Sequence, residues 1–208
     1  MLETFIYLAV ALVVVISIHE AAHAFVAYKL GDDTAKHQGR LTLNPMAHLD
    51  PIGTLMIFIA HFGWGKPVPV NPYNFKDPVK DSALVSLAGP ASNFATALLC
   101  SIPLKYFGGA MPLAVSNILW TITDLSILLG IFNLLPFPPL DGSKIFAVFV
   151  PKKYHARYFT FMQQSQIYFV AFLLIDIVLI RRYLGYSLVW SVLINVFDFV
   201  KILIFLGG

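Results

Sequence analysis

The sequence predicts an all-α, multi-pass membrane protein of about five to six membrane segments, and three observations carry that prediction. Of the 208 residues, 58% are hydrophobic and only 12% are charged. The mean hydropathy is +0.77, well outside the usual range of soluble domains. The apolar residues are gathered into long runs separated by short polar stretches rich in Pro, Gly and Lys.

Taken in order, the first run, Phe5 to Tyr28, is long enough to span. Glu3 precedes it and no basic stretch does, so it reads as a retained span and not as a cleaved leader. The next run, Ile52 to Phe62, is too short to cross and is expected to re-enter the membrane or form a short strand. Full spans follow at Ala83 to Pro103 and Leu113 to Leu135. Ile167 to Ile180 is short, with an entry from Phe159, and Leu188 to Leu206 closes the series. No internal repeat, low-complexity tract or long linker interrupts residues 1–208, which read as one membrane domain with a core at about 5–145 and accessory spans at about 159–208. Cys100 is the single cysteine, which excludes a disulfide framework within the chain and a thiolate zinc cluster. The net charge of +3 comes from loop Lys and Arg with no clustered basic face, so no nucleic-acid partner is expected.

Within the first span the stretch VALVVVISIHEAAHAFVAYKL carries His19, Glu20 and His23. Ionisable groups at membrane depth are costly, so their retention points to function. His19 and His23 lie four apart, which stacks both imidazoles on one helix face where they can grip one metal ion. HEAAH is thus an HExxH zinc pattern. Glu20 points off the ligand face and is free to act as a base toward water at the metal.

A catalytic zinc site needs a third protein ligand. The carboxylates at or near membrane depth are Asp124, Asp141, Asp176 and Asp198. Asp141 sits in NLLPFPPLDGSK, where Pro136, Pro138 and Pro139 forbid a continuing helix. Irregular backbone at that depth must line protein or a wet cavity, which a ligand loop would do. Asp141 also reads as a turn residue of an Asp-Gly pair. Asp124 is an alternative ligand or a polar helix contact. Asp176 and Asp198 are expected to pair with each other, with Ser or Asn of a neighbouring helix, or with Lys201.

Parity favours Asp141. The histidines lie near the C-terminal end of the first span and Asp141 follows the end of the Leu113 to Leu135 span, so these spans must run parallel, with only Ala83 to Pro103 crossing between them. Lys29, Lys36, Arg40, Lys66, Lys76, Lys80, Lys144, Lys152, Lys153 and Arg157 then share one side, while Lys105, Arg181 and Arg182 share the other. By the positive-inside rule the richer side, with the site, is cytoplasmic.

HExxH in a membrane helix, GPASN in the next full span and NLLPFPPLDG at the end of the following one together resemble the site-2 protease family of intramembrane zinc metalloproteases, peptidase family M50. GRLTLNPMAHLDPIGT and WGKPVPVNPYNF are similar to its compact prokaryotic branch, so the resemblance covers residues 15–145. It implies one zinc ion per chain held by His19, His23 and Asp141 near the cytosolic face, with Glu20 as catalytic acid/base. It implies single-span membrane proteins as substrates, cleaved within or near their membrane segments in the plane of the lipid bilayer. No PDZ-like or CBS-like module fits within this length, so regulation by such modules is not expected.

Asn133, in the family's N-x-x-P-x-P-x-x-D pattern, is a candidate to hold the scissile carbonyl or oxyanion, or else an interhelical hydrogen bond. Asn93 of GPASN is a candidate to orient substrate or to tie two helices together, beside Gly89, which allows close helix approach. WGKPVPVNPYNF reads as an extended edge segment next to the site, able to pair with an unwound substrate, or as a Pro-rich connector. His48 is assigned no metal role; His37, His61 and His155 are expected in loops or interfaces, with Trp64 and Tyr73 as interfacial anchors. A metal transporter and a proteolytically inactive binding homologue are the rival functions.

Overall fold

The structure, a computed structural model, describes residues 2–50, 52–53 and 65–206. It is helical. Helix α1 spans Leu2–Lys29, the short α2 Thr34–His37, α3 Pro78–Phe107, α4 Leu113–Asn133, α5 Asp141–Phe146, α6 His155–Ile175 and α7 Leu188–Phe205. Among the described residues, five segments are long and apolar enough to cross a membrane: Leu2–Lys29, Pro78–Ala110, Leu113–Asn133, Lys152–Ile180 and Leu188–Phe205. They match the predicted spans: the first two extend into polar flanks, Lys152–Ile180 begins well before Ile167, and the other two end just within the predicted bounds. The Ile52 to Phe62 run lies almost wholly outside the described residues, as do His61 and Trp64. Among the described residues there is no strand, only an isolated antiparallel bridge between Leu49 and Gly65.

Local signals set the helix ends. At the end of α1, Gly31 takes a φ of +103°, a conformation glycine adopts at no steric cost, and the Asp32 N–H returns to the Ala27 carbonyl at 2.9 Å. Asp77 caps α3 by accepting from the Lys80 N–H at 3.2 Å, with Pro78 in the first turn where its missing N–H costs nothing. Helix α4 stops at Asn133, and Pro136, Pro138 and Pro139 hold the chain out of helix until α5 begins at Asp141.

The centre of the molecule is the α1, α3, α4 trio, whose faces make the most extensive contacts. Ala11, Val15 and Ile122 form one buried cluster, and Ala27, Phe75 and Val85 another near the basic end. Each contains an alanine of α1, which lets neighbouring elements approach closely and gain dispersion contacts. A third cluster, Ala97, Ile127, Ile131 and Leu193, brings α7 against α3 and α4. The outer face of α7 remains apolar and exposed, as a lipid-facing surface should be.

Two acidic groups on the spans have structural partners. Asp124, on α4, pairs with Lys201 of α7 at 2.6 Å, and the ammonium also lies over the rings of Trp120 and Phe197. Lys201 therefore serves Asp124, whereas the sequence pointed to Asp176 or Asp198; nothing in local spacing reports that α7 packs beside α4. Asp176 accepts from the Ser187 hydroxyl and from the Leu188 and Val189 N–H groups at 2.8 and 3.3 Å, holding the start of α7. Pairing with a Ser of a neighbouring helix was among its expected roles.

Candidate metal centre

Helical spacing brings His19 and His23 to one face of α1, where both are buried, and their Nε2 atoms lie 3.0 Å apart. Asp141, the first residue of α5, places its Oδ2 3.3 Å from each of those nitrogens. Among the described residues these three form the one group of His, Cys, Asp or Glu side chains compact enough to hold a metal ion. The break after α4 makes this possible: it lets the chain turn back toward α1 at the helix end, and Gly142 permits the passage, because a Cβ there would lie 2.2 Å from the Leu134 carbonyl oxygen.

The donor set fits zinc. Ligands of a tetrahedral ion at about 2.0–2.2 Å stand roughly 3.3–3.6 Å from one another, close to the spacings here. Space for the ion is kept by Gly89 of α3. A Cβ at that position would come within 2.5 Å of His23 Nε2 and 2.6 Å of His19 Nε2, filling the cradle in front of both donors.

The remote ring nitrogens are also held. His23 Nδ1–H donates to the Val85 carbonyl at 2.7 Å, which leaves Nε2 with a free lone pair. The Asn93 amide lies 3.1 Å from His19 Nδ1, and its Oδ1 is fully buried without a hydrogen-bond partner among the described residues. An imidazole that ligates through Nε2 carries its proton on Nδ1. Turning the amide by 180° meets that proton with Oδ1, so the orphaned oxygen and the ligand geometry are satisfied together. Asn93 thus ties α3 to α1 through a candidate ligand. Asn93→Leu is expected to weaken zinc binding about 10–100-fold while leaving the helices intact, read by competition with a chromophoric chelator; unchanged affinity would remove Asn93 from this role.

Glu20 points off the ligand face, half-buried, and its Oε2 accepts from the Val68 N–H at 2.8 Å. The Lys66 to Val70 stretch, without helix or strand pairing of its own, therefore runs beside the candidate base. Its entry is braced by the Lys66 N–H, which donates to the His48 carbonyl at 2.8 Å, and by Gly65, where a Cβ would lie 2.7 Å from Ile16. Its exit is held by Asp32, which accepts from the Asn71 N–H and the Asn74 amide, each at 2.7 Å. Burial pushes the Asp32 carboxyl up, but donors from Thr34, Asn71 and Asn74 outweigh it and hold the group below the usual carboxylate range.

Asn133 donates to the Leu129 carbonyl of its own helix at 3.0 Å. His48 is fully buried, with Nε2–H donating to the Thr42 carbonyl at 2.8 Å, and lies outside the three-donor group. His155 donates to the Val150 carbonyl at 2.8 Å. Sequence reasoning overlooked Arg40, whose side chain reaches the same region. Its signal, a lone basic residue followed by the apolar and small residues of GRLTLNP, is indistinguishable from a loop charge without the structure.

Comparison with known proteins points one way. A model described as peptidase family M50 matches residues 101–175, which include Asp141. YwhC of Bacillus subtilis, named as a candidate zinc metalloprotease, is 45% identical over 90% of this chain and 85% of its own length. Rip2 of Mycobacterium tuberculosis, similarly named, is 32% identical over 66% of this chain, which spans 55% of that protein. Zinc metalloprotease MJ0392 of Methanocaldococcus jannaschii is 27% identical over 71% of this chain and 35% of its own length. No solved structure matches.

Proposed function

The chain belongs to peptidase family M50, and from that premise we propose that it is an intramembrane zinc metalloprotease that hydrolyses peptide bonds within or near the membrane segments of single-span membrane proteins. The observation that carries this reading is the convergence of His19, His23 and Asp141 from two distant parts of the chain, with Glu20 alongside on the helix that supplies both imidazoles.

His19, His23 and Asp141 would hold one zinc ion, which when bound supplies a Lewis acid able to acidify water and polarise a carbonyl. Glu20 accepts the proton released by the attacking water and delivers it to the departing amine. The Val68 N–H keeps that carboxylate from swinging back along α1. Val85 and Asn93 fix the imidazole rings, and Gly89 leaves room for water and a peptide group. The concentration of Lys and Arg in the loops at this end supports a site toward the cytoplasmic face of the cell membrane. A substrate helix must unwind there, and Lys66 to Val70 offers it an extended neighbour, with Asn133 at the end of α4 as a further candidate contact.

Incubating the purified protein with a panel of single-span substrates tests the reading. Cleavage is expected to stop with a zinc chelator and to return when zinc is restored. Cleavage that persists after the metal is stripped, or stoichiometric metal-free material that turns over, defeats it.

A further inference from the structure

Arg40 is 4% exposed, an unusual setting for a guanidinium at a loop position. The loop delivers it inward by design: Gly39 takes a φ of +67°, and the Arg40 N–H closes on the Ala35 carbonyl at 2.8 Å. One terminal nitrogen donates to the Lys66 carbonyl, two residues before the Val68 N–H that holds Glu20. The guanidinium also interacts favourably with the Glu20 carboxylate, although burial lowers its pKa from the usual value. Its Nε is buried with no partner among the described residues. A charge kept out of water with part of its donor fork unspent is a costly way to close a loop. Two residues on, the Thr42 carbonyl accepts from His48 Nε2–H at 2.8 Å, which braces the same loop.

Resting on the protease reading above, we propose that Arg40 is a positioning residue for the reaction: by gripping the Lys66 carbonyl it holds the Lys66 to Val68 backbone against Glu20 and so fixes the direction in which that carboxylate faces the three donor atoms. The chain of contacts is short. Arg40 fixes Lys66, the extended dipeptide Pro67-Val68 has little freedom because proline locks one of its dihedrals, and the Val68 N–H fixes Glu20 Oε2. Loss of the first link leaves the base in place on α1 but free to rotate, and a misplacement of about 1 Å near a reacting centre can cost about 100-fold in rate.

The test compares wild-type protein with Arg40→Ala, Arg40→Met and Arg40→Lys. In the Ala and Met variants kcat is expected to fall about 10–100-fold with KM little changed, at full zinc content and unaltered thermal unfolding. Lys, which can still donate to a carbonyl, should recover most of the loss. Met keeps the length and burial of the side chain, so it stands in if Ala does not fold. Hydrogen exchange at the Val68 amide gives a readout independent of turnover, and Pro67 and Pro69 leave it well isolated. Removal of Arg40 is expected to speed that exchange at least tenfold. Wild-type kcat in Arg40→Ala, unchanged Val68 exchange, or losses of kcat that only track zinc loss or unfolding in both Ala and Met overturn the proposal. A wild-type protein that cleaves no substrate counts against the protease reading, while the exchange measurement still decides the role of Arg40.

Discussion

Glu20→Gln is expected to retain one zinc per chain and to lose cleavage of a membrane substrate by about 100- to 10,000-fold, the range over which a positioned proton acceptor acts. The argument rests on what the substitution leaves alone. Gln has the same length and branching, and its amide oxygen can still accept from the Val68 N–H that holds Glu20 Oε2 at 2.8 Å. The three donor atoms belong to other side chains and keep their 3.0–3.3 Å spacing. What disappears is a group able to take a proton. Elemental analysis alongside kcat separates the outcomes: full activity removes Glu20 from acid/base chemistry, and loss of zinc in parallel would make it part of the binding set.

Gly89→Ala should affect the other half of the chemistry, the binding of the metal. Within a helix Ala is better than Gly by about 1 kcal/mol, but the close packing at this position outweighs that gain. The added methyl meets His19 Cε1 and His23 Nε2 at 2.5 Å and His19 Nε2 at 2.6 Å. The rings cannot swing aside cheaply, since one is anchored on the Val85 carbonyl and the other on Asn93. Zinc affinity is therefore expected to fall by more than the roughly 10–100-fold typical of losing an outer hydrogen bond. Gly108→Ala, at a position with nothing around it, is the control and should leave metal binding untouched. Normal zinc affinity in Gly89→Ala would mean that the cradle lies elsewhere.

Much of this was readable from the sequence because the information is local. Spans are visible as runs of apolar residues, and the pairing of His19 with His23 follows from helical periodicity. Asp141 could be singled out because prolines announce a broken chain end and because parity puts that end on the histidines' side. The structure brings those three side chains into one group. Other contacts left no such trace. Arg40 is held by a main-chain oxygen, which every residue possesses, and Glu20 by a main-chain N–H, so neither partner is encoded in a side chain. The Asp124 and Lys201 pairing depends on how α7 lies against α4, a packing choice made among lipid-facing surfaces of nearly uniform character. Helix α6 begins at His155, well before its apolar stretch, because HARYFTFMQQSQ is polar enough to hide a helix that continues into the membrane.

The distance along the chain between the imidazoles and their carboxylate has a consequence for biogenesis. As the polypeptide is threaded into the bilayer, α1 precedes α5, carrying His19, His23 and Glu20. Asp141 follows only after two further spans have been inserted and α5 has folded back past Gly142. A nascent chain shorter than that carries two of the three candidate donors, so on the proposed reading hydrolysis waits until α5 is in place.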